Sequence, residues 1–525
     1  MKNYYKMMLR RTLLLMTILF GVVFAVATAI IWKLGLNISY GILVSVVVVG
    51  LQFLLGPWII DTIYKVELDD PRIYDNPDLI YNNISSEIID FIENTCKEVG
   101  IPKPKIGVID DGNPNAFTYG HIPRNARLVL TTGITEVLDE EELKSVIAHE
   151  IGHIKHYDFI AMMVVSLIPM ILYQIYISTR NRKGNSAYLI GLGAYVVYIL
   201  SGFLVLAFSR MREFYADSFS KNIMGSGEQL KSALLKIAYG TASREQGKQP
   251  KVSTMAFANN IQNDALLLTT YKLDYKDKIN KTLMRWDIKN IWGKWYEVNS
   301  THPLTAKRIM ALTGETVEDS RMSKKDIGQF LFEMFMNLLP WIFLGIAVFT
   351  SKEITMKDSG IIRTLLSILK NNPLNLSLLG VCILAKYYYS YRKGDKEYKI
   401  YDLLLREDAS PVKGIPGILK GKIIGKGIPG LFYSEDFVLD DGTGIMFIDY
   451  RQPLRILEFL FGVCKADEMI EKDVEIIGWY KRGIRPYFVC RYIIKDGKKI
   501  ISFNFILKQL LGYVLLTAGI IISLI

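Results

Sequence analysis

Cysteine and histidine are scarce in this chain, four and five among 525 residues. Cys96, Cys382, Cys464 and Cys490 show no CxxC spacing and read as free thiols of a reducing compartment, with a disulfide left open. No basic run with interleaved aromatics accompanies the net charge of +11, so nucleic acid is not an expected partner. The excess suits cytoplasmic faces beside anionic lipid. Charge itself is missing from long stretches: residues 12–32 and 41–60 hold no Asp, Glu, Lys or Arg, and each run is about long enough to cross a bilayer core.

What is present fits those gaps. The chain is 50% hydrophobic with a mean hydropathy of +0.22, too apolar for an ordinary soluble protein and too long for one domain. Further apolar runs cover 159–178, 187–208, 329–350, 374–390 and 503–525. Glu333 interrupts the third of these, the fourth is short and ends in Lys386 and a tyrosine triplet, and Lys508 lies near the start of the last. Lys2, Lys6, Arg10 and Arg11 hold Met1 in the cytoplasm, and two spans then return Asp61 to that side. A cleaved secretory signal, suggested by Ala25-Val26-Ala27, is the competing reading. The run is long for a signal and a second span follows closely, which favours a retained anchor.

The chemistry concentrates at HEIGHIKHYD, residues 149–158. Before it, short β-prone pieces at 106–109, 116–119 and 127–131 are separated by Gly, Pro and Asn turn signals. Asp139 then reads as an N-cap with Glu142 as its capping-box partner and Leu138 and Leu143 as a hydrophobic staple, so a helix starts near Glu140. Positions four apart share a helix face, which projects His149 and His153 together toward one ion. Glu150 beside them is a carboxylate placed to accept a proton from water. Two ordinary surface histidines are the bland alternative.

A third ligand is available from the hairpin that follows. Two antiparallel apolar helices, 159–178 and 187–208, return the chain near residue 210 to the level of the motif. SRMREFYAD there supplies Glu213 as an oxygen ligand and, one turn on, Asp217 as a partner to orient His149 or His153. A charged interfacial helix start is the alternative for Glu213 and Asp217. His156 is the rival ligand, but three residues beyond His153 it reads more simply as a solvated or interfacial residue, with Asp158 capping the next helix. The tip residues Arg180, Arg182 and Lys183 would be extracytoplasmic if the hairpin crosses fully, against the positive-inside preference, so a shallow hairpin stays open.

NAFTYG, HEIGHIKHYD, the apolar hairpin, SRMREFYAD and STHPLTAKRI, in that order over roughly residues 75–315, resemble the gluzincin membrane metalloproteases, the family of the heat-shock protease HtpX and the CAAX prenyl endopeptidases. The resemblance implies an α+β zincin-like domain and one Zn(2+) per chain on His149, His153 and Glu213. It implies Glu150 as general base, an orienting Asp217, and His302 near the cleft, where it can hydrogen-bond a developing oxyanion. It also implies that Asn115, Ala116 and Phe117 belong to an exposed substrate-binding edge strand. For His302 a structural place before Pro303 is the alternative.

The expected architecture is a multi-pass α-helical membrane protein carrying a zincin-like metalloprotease domain and a C-terminal small β domain. The divisions are a two-helix anchor at 1–60, the protease domain at 61–327 including the hairpin 159–208, further spans at 328–393, the β domain at 394–502 and a last span at 503–525. Turns every ten or so residues in the β region suggest a barrel or sandwich, with GIPG at 414–417 and 427–430 as recurring turn chemistry. The resemblance does not reach it. The expected function is zinc-dependent endopeptidase activity toward membrane-protein or unfolded polypeptide substrates, in quality control, with the active site facing the cytoplasm of a cell-membrane protein. The alternatives are a CAAX-type processing enzyme and a non-catalytic scaffold acting through the β domain.

Overall fold

The computed structural model describes residues 38–64, 66–68, 83–180, 185–239, 278–317, 323–350, 373–427, 434–483 and 485–524. The first apolar run with Ala25-Val26-Ala27, the tip residues Arg182 and Lys183, and most of the second GIPG lie outside them. The second run is one helix, Ile38–Ile63. Among the described residues four helices are long and apolar enough to cross a membrane: Asp158–Ile177, Leu189–Met224, Lys324–Ala347 and Phe503–Leu524. The short run at 374–390 forms the helix Pro373–Ser390, which packs antiparallel on Phe503–Leu524. Small residues set that approach: a Cβ on Gly380 would lie 2.5 Å from the backbone nitrogen of Leu516. Glu333 does not break its helix. It is fully buried, accepting from Trp292 Nε1 at 2.7 Å and Gln329 Nε2 at 3.0 Å, as an acid among apolar helices must.

A four-stranded sheet, β1 (Glu67–Leu68), β2 (Lys105–Ile109), β3 (Ala116–Tyr119) and β4 (Arg127–Thr131), has the order β1-β2-β4-β3, parallel only between β2 and β4. β3 is its outer strand, but it is not exposed. Its four residues are 4–7% exposed. Phe117 and Tyr119 pack with Tyr64, Val129 and Phe447, so the far face of β3 is covered by the C-terminal region and by the end of the Ile38–Ile63 helix. Asp61 in that helix accepts hydrogen bonds from the Tyr119 hydroxyl and, at 3.0 Å, from Arg127 Nη2.

The motif helix, Glu140–Lys155, begins as its capping signals predict: Glu142 N donates to Asp139 Oδ1 at 2.9 Å and Asp139 N to Glu142 Oε2 at 3.0 Å. After the motif, Asp158–Arg180 leaves, and Asn185–Met224 returns as one continuous helix of 40 residues.

The C-terminal region holds β5 (Ile415–Lys426), β6 (Phe437–Asp440), β7 (Ile445–Tyr450), β8 (Asp473–Arg482), β9 (Pro486–Lys495) and β10 (Lys498–Ile501) in the order β10-β9-β7-β6-β5-β8. β8 also pairs with β9, so the pairing returns on itself. This small β unit is not insulated from the rest. One buried apolar cluster runs from Ile88, Leu130 and Ile147 through Leu283 and Ile309 to Leu419, Ile448 and Phe488. Arg482, 1% exposed, reaches out of β8, donates from Nη2 to Leu283 O at 2.8 Å and lies 4.4 Å over the Trp286 ring. Gly425 touches the loop before β3 so closely that a Cβ would sit 2.4 Å from Asp111 Oδ1, and Asn113 Nδ2 donates to Lys426 O at 3.2 Å. All four cysteines are free.

Candidate metal centre

His149 and His153 face the same way because four residues make just over one helical turn. Their Nε2 atoms lie 3.2 Å apart. The returning helix brings Glu213 to them, Oε2 at 3.9 Å from His149 Nε2 and Oε1 at 3.7 Å from His153 Nε2. Gly152 permits that approach: a Cβ there would stand 3.3 Å from the Ala216 Cα on the returning helix. Ser220 Oγ, donating to Ser145 O at 2.6 Å, ties the two helices one turn further on. The three ligand atoms all fall within 4.8 Å of one another.

The opposite imidazole nitrogens are held by carboxylates. His149 Nδ1 is 2.9 Å from Asp217 Oδ1, and His153 Nδ1 is 2.5 Å from Asp158 Oδ2. Such partners fix the tautomer that leaves Nε2 as a lone-pair donor. Each carboxylate is braced in turn. Arg308, 1% exposed, grips Asp217 through Nε and Nη2, and Arg212 Nη2 lies 2.9 Å from Asp158 Oδ2. Asp158 is therefore a histidine partner rather than the helix cap expected of it, and Asp217 serves His149. Arg308 was not anticipated, although it lies inside the STHPLTAKRI stretch.

Glu150 stands beside this group, only partly open to solvent, and Thr118 Oγ1 donates to its Oε2 at 3.0 Å. Burial holds its carboxyl above the usual range against the pull of His153 and His149, which makes it a stronger base than an exposed glutamate. His302, 8% exposed, comes from the loop before the helix Thr305–Thr313, a loop anchored by Arg210 Nη1 donating to Ser300 O at 2.7 Å. Its Nδ1 lies 2.7 Å from Glu213 Oε1, an ion pair when the imidazole is protonated. The structure thus sets His302 against the third carboxylate. Asn115, Ala116 and Phe117 lie at the start of β3, but Phe117 points away from Glu150 into the Phe447 cluster, and Thr118 is the strand's side chain at the site. His156 is exposed, with its ring against Phe219.

The donor set fits a divalent cation. Ligand atoms about 2.0–2.1 Å from a tetrahedral zinc ion lie roughly 3.4 Å apart, and the separations here are 3.2, 3.7 and 3.9 Å. Four carboxylates, Glu150, Asp158, Glu213 and Asp217, face two guanidiniums, Arg212 and Arg308, leaving two formal negative charges. Burial opposes a protonated His153, yet Asp158, Glu213 and Glu150 raise its pKa overall, so the surroundings favour positive charge at this place.

A HExxH helix followed by an apolar hairpin that returns a glutamate to it defines the class: a membrane metallopeptidase. A model of peptidase family M48 matches residues 84–316. A protease HtpX homolog of Methanothermobacter thermautotrophicus is 35% identical over 244 residues, 45% of this chain and 88% of that protein. One of Thermoplasma volcanium is 31% identical over 306 residues, 57% of this chain and 90% of that protein. The crystal structure of S. mikatae Ste24p aligns with a TM-score of 0.36 at 17% identity, over 59% of this chain and 66% of that one. The chain belongs to peptidase family M48 and is an HtpX-like membrane protease. The family match stops short of the β region.

Proposed function

We propose that this protein is a zinc-dependent endopeptidase of membrane proteins, acting in quality control from the cytoplasmic face of the cell membrane. His149, His153 and Glu213 are the metal ligands, one zinc per chain. The observation that carries the reading is the completeness of the group: both imidazoles are oriented from behind by Asp217 and Asp158, and the Glu150 carboxylate, held by Thr118, stands beside them.

A zinc ion held there supplies Lewis acidity toward the scissile carbonyl and toward water. Glu150 takes a proton from the attacking water as the new C–O bond forms, and passes it to the amine nitrogen as the C–N bond breaks. Thr118 holds the Glu150 carboxylate in position. His302 steadies Glu213 and stands close enough to the ligands to assist the developing oxyanion. The substrate is taken to run along Asn115, Ala116 and Phe117 at the start of the sheet's outer strand, where β-strand addition requires that the now buried strand be uncovered.

The protease part, 61–327, reads as zincin-like, preceded by the anchor 1–60 and followed by spans at 328–393. The region 394–502 reads as a small closed barrel before the last span, 503–525. Unfolded or damaged membrane chains are the substrates that suit this setting.

Wild type and Glu150→Gln purified in detergent are expected to carry about one zinc each, with cleavage of an unfolded membrane protein by the wild type alone. Glu213→Ala loses zinc on dialysis. Normal turnover by Glu150→Gln would overturn the general-base assignment, and zinc without cleavage in the wild type would overturn the enzyme reading.

A further inference from the structure

Four cations gather where the helices Pro373–Ser390 and Phe503–Leu524 meet the β unit. Lys386 lies one turn from the end of the first helix and Lys508 in the second turn of the other. Lys481 is the penultimate residue of β8, and Arg451 follows β7. Lys386, Lys508 and Arg451 all bear electrostatically on Lys481, and Lys386 and Arg451 also bear on Lys508.

Their partners do not balance them. Arg451 takes Asp449, with Nε donating to Oδ1 at 2.8 Å, and that carboxylate is the acidic group acting on the cluster. Lys386 Nζ donates to a neutral carbonyl, Asn337 O, at 2.7 Å. Lys481 is 5% exposed, and among the described residues its ammonium meets no carboxylate or carbonyl acceptor; it lies 4.5 Å over the Tyr391 ring. Burial and the neighbouring cations push it down to about 7. A largely enclosed lysine whose ammonium keeps a narrow opening to solvent, with cations and one committed carboxylate around it, marks a site short of negative charge that an anion from outside can reach.

The surroundings say where that charge comes from. Tyr387, Tyr388, Tyr389 and Tyr391 ring the end of the first helix, Tyr388 and Tyr513 share a hydroxyl contact of 2.5 Å between the two helices, and Gln509 Nε2 donates to Tyr388 at 2.8 Å. Tyrosines of this kind collect at the headgroup level of a bilayer, and basic pockets between helices at that level hold phosphate headgroups.

We propose that Lys386, Lys481, Lys508 and Arg451 form a binding site for a phosphate monoanion or diester, supplied by the headgroup of an anionic phospholipid. The site is remote from the metal ligands in sequence and its occupancy does not depend on peptidase chemistry.

The test uses the full chain in neutral detergent, on a Glu150→Gln background that removes the proposed general base, and reads the midpoint of thermal unfolding. Phosphatidylglycerol is expected to raise the midpoint by several degrees over the same amount of phosphatidylcholine. Lys481→Met, which keeps volume and removes the charge, and Lys508→Gln, on an exposed position, each cut that increment by about half or more. Lys420→Gln with Lys422→Gln, exposed lysines of β5 paired to Glu397 and Glu471, leaves it intact. An undiminished increment in both cluster variants, or an equal loss in the β5 control, overturns the site. Millimolar inorganic phosphate reproducing the increment supports the phosphate site and assigns it to a soluble anion; failure of phosphate where phosphatidylglycerol succeeds assigns it to the lipid.

Discussion

At the scale of single residues the candidate metal centre is built in two layers, and the outer one carries the next prediction. Asp217→Asn and Asp158→Asn each remove a carboxylate from behind an imidazole while leaving Nε2 in place. Each is expected to weaken zinc binding about 10–100-fold, measured by competition against a chromogenic chelator; unchanged affinity in both would mean that the helix alone orients the rings. The inner layer was legible because spacing encodes it: a four-residue interval gives two histidines one face, and a hairpin of two equal apolar helices returns Glu213. The outer layer was legible only in part. Asp217 was recognisable without its histidine being known, Asp158 looked like a cap because it opens a helix, and Arg308 sits 91 residues from Asp217, a separation over which no local rule operates.

Among elements, local chemistry predicted well and long-range covering did not. The capping box at Asp139 and Glu142 and the three strands before the motif follow from neighbours in sequence. The burial of β3 does not, because Phe447 arrives from another region of the chain. Helix pairing in the membrane is open to direct test. Gly380 and Gly512 let Pro373–Ser390 and Phe503–Leu524 touch backbone to backbone, with a Gly380 Cβ only 2.7 Å from Gly512 O. Gly380→Val forces them apart and is expected to cost about 1–3 kcal/mol, read as a lower unfolding midpoint in detergent, whereas Gly345→Val, with open space around its Cβ, leaves the midpoint near wild type.

On the scale of the whole molecule, the peptidase core and the β unit share one apolar cluster and a buried polar bridge, so one cooperative unfolding transition is expected of them. In that bridge Asp287 is fully buried, accepts from Tyr239 Oη at 2.5 Å and lies 3.6 Å from Arg482 Nη2. Burial pushes its carboxyl up to about 6, outweighing the opposing pull of Arg482. The folded protein therefore holds a proton that the unfolded chain releases near pH 4. The stabilising contribution is complete below about pH 4 and is lost as pH rises through about 6. Asp287→Asn should flatten that part of the pH–stability curve relative to wild type; parallel curves would show that Asp287 is ionised throughout. None of this bridge was visible in sequence, since Arg482 and Asp287 look like ordinary surface charges until the two regions are brought together.

The continuous helix Asn185–Met224 has a mechanical consequence. At 40 residues it is about 60 Å long, twice the roughly 30 Å of bilayer hydrocarbon, and Glu213 rides on it about 42 Å from its start. A tilt of about 5° pivoted at that start swings the carboxylate sideways by about 4 Å, more than a ligand's whole reach to its ion. Packing against the motif helix, more than bilayer thickness, sets such a tilt, so the close contacts at Gly152 and Ala216 and the Ser220–Ser145 hydrogen bond act as the lock that keeps a long lever from carrying the carboxylate off its partners.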